Sequence, residues 1–245
     1  MRTANPTLKE ATFTSLERGG EGAMTIQGTV NKALVLLGLV LLGASWTWKQ
    51  FFLYEDAAQI MPWVLGGTIG GLVFALITSF KKTWAPLTGP IYAFLQGLAL
   101  GGISSILELQ YPGIVIQAVT LTLGTLLALL AAYRSGMIRA SENFKLGVAS
   151  ATGGIFLVYM STWVLGFFGI SMPFIHESGI IGIGFSLVVV VVAVLNLVLD
   201  FDFIESGETM QAPKYMEWYA AFGLMVTLLW LYIEILRLLA KLRNR

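Results

Sequence analysis

Apolar residues in this chain come in blocks of about twenty, each closed by a short polar or charged stretch, and this spacing sets the elements. A helix needs about 17–25 mainly apolar residues to cross hydrocarbon. Seven blocks meet that length: residues 32–48, 57–80, 90–107, 112–133, 146–168, 179–199 and 219–237. The pattern predicts an all-α polytopic membrane protein with seven transmembrane helices. Residues 1–31 read as a polar, largely flexible arm and residues 32–245 as one membrane domain.

Within the blocks, small residues mark where helices approach one another. Gly66, Gly67, Gly70 and Gly71 in segment two, and Gly97, Gly101 and Gly102 in segment three, form small-xxx-small pairs that allow close packing. Tyr92 and Gln96 stand at (i, i+4) on one side of segment three, and either hydrogen-bond across helices or line a wet path. Trp46 and Trp48 sit where indoles favour the membrane interface. Residues 25–31 read as an interfacial turn before the first helix. Gly207 is placed to end the sixth helix and Pro213 to start the seventh.

Orientation follows from Lys and Arg. The arm (Arg2, Lys9, Arg18, Lys32) and the 2–3, 4–5 and 6–7 loops (Lys81, Lys82, Arg134, Arg139, Lys145, Lys214) hold nearly all the loop cations. The opposite loops hold only Lys49. The N-terminus and the Asp200 end are therefore expected in the cytoplasm. The tail (Arg237, Lys241, Arg243, Arg245) votes the other way, which keeps open a six-span form with a re-entrant last segment.

Composition narrows the chemistry. Charged residues make up 12% of the chain and hydrophobic ones 56%, too few charges to cover a soluble globule. There is no cysteine, so disulfides and thiolate metal sites are excluded. The lone histidine, His176, lies in a loop beside Glu177. No Gly-rich phosphate loop is present, no basic cluster suggests nucleic acid, and no cofactor is expected. The polar N-terminus does not read as a signal peptide.

Acids at the membrane segments are functional candidates, because a carboxylate there is costly to desolvate. Asp200 and Asp202 follow the uncharged run 179–199, and their side chains point about 200° apart on a helix. Asn196, one turn before Asp200, marks Asp200 as the inward acid and leaves Asp202 to solvent or the loop. Glu234 lies inside the last segment and Glu217 just before it. Two carboxylates in low dielectric share a proton; deprotonated, they repel and offer oxygens to a hard cation such as Ca²⁺. With a hairpin apex near residues 209–210, Glu234 lies about 22 Å too far along a straight helix to meet Asp200, whereas Glu217 falls almost opposite Asp202. For Glu234 the other reading is an (i, i+3) pair with Arg237.

Three stretches together carry a resemblance: Asn196-Leu-Val-Leu-Asp200, Leu231-Tyr-Ile-Glu234-Ile-Leu-Arg237, and Ile91-Tyr92-Ala-Phe-Leu-Gln96-Gly97-Leu-Ala-Leu-Gly101. Over residues 25–245 the chain resembles the transmembrane Bax inhibitor motif (YccA-like) family, and its arm fits a bacterial branch. The resemblance implies seven helices with the last near the centre. It also implies a pH-sensitive Ca²⁺ leak controlled by an acid on helix six and one on helix seven, with a base at the end of helix two. By position these are Asp200, Glu234 and Lys81, with Asp202, Glu217 and Lys82 as alternative sensor partners. Asp200 and Glu234 would then also be transient Ca²⁺ ligands. The chain departs from the family in carrying Glu rather than Asp on helix seven, Lys rather than Arg on helix two, and a longer interval between the acids.

The expected function is therefore a proton-gated cation leak in the bacterial inner membrane, not an enzyme. The alternative is a non-conducting regulator of a membrane protease or stress pathway, docking a membrane-protein partner through the Gly faces of helices two and three. An intramembrane aspartyl protease ranks last, since no Gly-flanked motif surrounds either acid.

Overall fold

The computed structural model describes residues 22–138, 140–168 and 179–244. Most of the arm, Arg139, the loop with His176 and Glu177, and Arg245 lie outside these. The seven blocks are helices: α1 (Ile26–Tyr54), α2 (Ala57–Phe80), α3 (Ala85–Gln110), α4 (Ile114–Arg134), α5 (Glu142–Phe167), α6 (Ile180–Thr209) and α7 (Met216–Arg243). A 3-10 turn, Lys82–Trp84, leads into α3. All seven are long and apolar enough to cross a membrane. The chain is an all-α, multi-pass membrane protein, and α7 is one continuous helix rather than a re-entrant segment.

Capping moves three boundaries from their expected places. Thr25 accepts the Gly28 N–H at 2.9 Å, so residues 26–31, expected as a turn in the arm, are the first turns of α1. Ser141 caps α5 through the Phe144 N–H, which draws Lys145 out of the predicted loop and into the helix. Gly207 does not end α6, which runs on to Thr209; the left-handed residue is Gln211, at φ 51°. Pro213 precedes α7 and pairs with Ala23 in an isolated antiparallel bridge.

The chain divides into two compact units. Among the described residues, one contains residues 22–115 together with Phe203–Val226. Here α3 meets α1 backbone to backbone: a Cβ added at Gly97 would stand 2.3 Å from the Val40 carbonyl oxygen, and one at Gly101 2.3 Å from that of Ala44. On α2, Gly67 faces the Leu95 carbonyl at 2.5 Å in the same sense, and Gly66 faces open space. With no hydrophobic drive between helices in lipid, such approach is what holds them. An aromatic row, Tyr92–Phe222–Tyr219–Phe203, completes this unit.

The other unit contains Ile116–Asp202 and Thr227–Arg245. Ile155, Val189 and Val192 form its apolar centre, with Ala151, Tyr159, Phe185 and Trp230 packed against them. Of the seven helices, α3 and α7 are the most buried: 56% of the most apolar stretch of each is buried, against 39% for α6 and 22% or less for the rest.

Candidate functional site

In the second unit, Asp200 is completely buried, with Leu197, Val198, Leu199 and Phe201 of its own helix also buried. Two polar ties from α6 to α5 flank it. Four residues before it, the Asn196 amide donates to the Thr152 hydroxyl and to the Val192 carbonyl, each at 2.8 Å. Two residues after it, Asp202 meets the Lys145 ammonium at 2.8 Å.

Asp202 was expected to face solvent or the loop, and this is corrected. The far face of α6 at that level meets Lys145, whose side chain is 1% exposed, and the pair satisfies both charges. Lys145 is the functional candidate that reading the sequence missed, because it precedes the apolar run and resembles a loop cation. The signal was Ser141-Glu142, an N-cap followed by an acid in the first turn, which places Lys145 inside the helix.

Glu234 is also buried, and the Tyr159 hydroxyl lies 3.1 and 3.2 Å from its two oxygens. Arg237 donates to both Glu234 and Tyr159 at 3.1 Å, its guanidinium lying over the Tyr159 ring. The (i, i+3) pair is thus formed, and it is anchored to α5. Nearby, the buried Lys241 donates to the Gly182 carbonyl and the Ser186 hydroxyl.

These bonds fix the level of each acid. Stepping along α5 from Thr152 to Tyr159 carries the antiparallel α6 from Asn196 to about position 189, eleven residues short of Asp200, or roughly 16 Å on straight helices. The Lys241 contacts with Gly182 and Ser186 place Glu234 in the same stretch of α6. The expected Asp200–Glu234 pair is therefore corrected: Glu234 bonds to Tyr159 and Arg237, at a different level from Asp200. The physical reason is the short 210–215 connection, which cannot absorb so long an interval between the two acids.

In the first unit, Glu217 is the centre of a closed knot. Its carboxylate accepts from the Thr25 N–H at 3.0 Å, the Thr25 hydroxyl at 2.9 Å and the Lys214 ammonium at 2.9 Å, and it is ion-paired with Lys32. Glu208 accepts the Ile26 N–H, and the Met24 N–H donates to the Ala212 carbonyl. The donors of Glu217 thus come from the start of α1 and from Lys214. Lys81, expected as the helix-two base, is exposed; Lys82 is half-buried and stands 5.8 Å over the Tyr219 ring. Of the two lysines, Lys82 is therefore the one engaged with α7.

Tyr92 is buried, edge-on to Phe222 at 4.9 Å, and Gln96 fills the space over Gly71. Both have packing contacts. Among the described residues, no three His, Asp or Glu side chains gather as they would for a resident metal ion.

The family model described as Bax inhibitor 1 like matches residues 5–244 of the chain. No curated protein and no solved structure matches it.

Proposed function

This chain belongs to the Bax inhibitor 1 like family, and on that premise we propose that it is a pH-sensitive cation (Ca²⁺) leak gated by Asp200. The observation that carries the reading is the complete burial of a carboxylate on a membrane-spanning helix, between two polar ties to α5. A charge in that position must be paired or hydrated, so a change in its proton occupancy changes which helix arrangement is favourable. Ionised, Asp200 admits water or a hard cation to its oxygens; protonated, it is held in the dry helix contact. Calcium here is cargo that passes the carboxylate.

Glu234, with Tyr159 and Arg237, is a separate polar station along the same helices. The gate is then one acid with a remote second acid, rather than a carboxylate pair. The deeply buried α7 is the inner element, Lys82 the base that steadies it, and the bacterial inner membrane the location, with the N-terminus in the cytoplasm. The chain performs no covalent chemistry in this reading: a protease needs two carboxylates sharing a proton, and Glu234 is bonded elsewhere. Weighing against the non-conducting alternative, Gly67, Gly71, Gly97 and Gly101 are taken up by packing within the chain.

Calcium entry into proteoliposomes, followed with a trapped dye across pH, tests this. Wild type is expected to change flux with pH and Asp200→Asn to flatten the profile. Flux that is the same at every pH, and in Asp200→Asn, would overturn it.

A further inference from the structure

The α6 sequence poses a problem that its neighbour solves. Residues 187–195 are wholly apolar, and a helix apolar all round has no hydrophobic stripe to set its rotation. Lipid supplies no hydrophobic drive between helices either. The direction in which Asp200 points is therefore set by packing, as of Val189 and Val192 on Ile155, and by polar ties.

Two such ties reach α5: Asn196 to Thr152, and Asp202 to Lys145. On a 3.6-residue helix Asn196 lies about 40° and Asp202 about 160° from Asp200, both in the same rotational sense. The two ties thus grip the flank of α6 that faces α5, one before and one after the level of Asp200. The Lys145 end is the stronger constraint, because a fully buried ammonium cannot change partners without desolvation cost. Lys145 is itself seated by the Ser141 cap and lies 3.6 Å from Glu142. Glu142 and Asp202 are charged groups facing it, and Tyr133 of α4 packs on Phe201, between the two aspartates.

We propose that Lys145 is a positioning residue for Asp200: through its ion pair with Asp202 it fixes the rotation of α6 and so the environment in which Asp200 gains and loses its proton. This rests on the reading of Asp200 as the gate. Without this tie the rotation of α6 near Asp200 is held on the α5 side by Asn196–Thr152 and more distantly by Lys241 on Gly182 and Ser186, and the surroundings of Asp200 shift.

The test compares wild type, Lys145→Met, Asp202→Asn and Lys145→Arg in proteoliposomes, with two readouts. One is the pH profile of calcium flux. The other is modification of Asp200 by a hydrophobic carbodiimide, quantified by mass spectrometry, which reports the surroundings of Asp200 whether or not ions flow. Lys145→Met and Asp202→Asn are each expected to reduce the flux ratio across the profile about tenfold and to change carbodiimide modification by a similar factor. Lys145→Arg keeps the cation and is expected to stay near wild type in both. If Lys145→Met fails to fold, Asp202→Asn reads the same tie from the α6 side. Wild-type flux and wild-type modification in both tie-breaking variants would overturn the proposal. A pH-independent flux in wild type would instead fell the gate reading, and the carbodiimide readout would then decide the positioning role alone.

Discussion

The two ends of α7 each bury a glutamate, and they do so in different ways. Glu217 accepts two hydrogen bonds from Thr25 and pairs with Lys32 and Lys214. Glu234 is held by one phenol and one guanidinium, and the side chain of that arginine is 42% exposed. The first acid is met by Thr25 and Lys32, far away in sequence, as well as by Lys214, and behaves as an anchor for the start of α1. The second has a half-exposed partner that can exchange with water. Burial alone therefore does not identify a sensor; what distinguishes these acids is how completely, and by what, their charge is met.

The largest effect is expected at the anchor. Glu217→Ala leaves Lys32 and the Thr25 donors without their acceptor, and unfolding in detergent should show a loss of about 3–5 kcal/mol. Glu234→Ala should cost about 1–2 kcal/mol, because Arg237 can turn to solvent; equal losses at the two sites would break the comparison. Gly28→Ala sharpens it, since a Cβ there would lie 2.1 Å from a Glu217 oxygen. Moving that carboxylate off its donors should cost about 1–3 kcal/mol. Tyr159→Phe removes one hydrogen bond from Glu234 and should cost about 1 kcal/mol. The smallest effect is expected at Gly66→Ala, within about 0.5 kcal/mol, because its added methyl meets open space.

The seven spans were legible because block length is a direct physical requirement of the bilayer. Their ends were not, because single caps at Thr25 and Ser141 extend α1 and α5 past the apolar blocks. The Gly-rich faces were read correctly as packing devices, with Gly67 in contact and Gly66 turned away. At the site, the burial of Asp200 followed from the uncharged run before it and from Asn196. The partners did not follow: Thr25 and Glu217 are 192 positions apart in sequence, and local spacing carries no signal for such a pair. Tyr159 as the partner of Glu234 was hidden for the same reason, 75 residues away on another helix. Asp202 was misplaced because Lys145 had been counted as a loop charge.

If Asp200 gates the leak, its proton occupancy changes over the pH range in which calcium flux changes. Infrared difference spectroscopy reads this directly, through the C=O stretch of a protonated carboxyl that is present in wild type and absent in Asp200→Asn. This band is expected to vanish over the same pH interval in which calcium flux rises. A band that is constant, or missing at every pH, while flux still changes would contradict it.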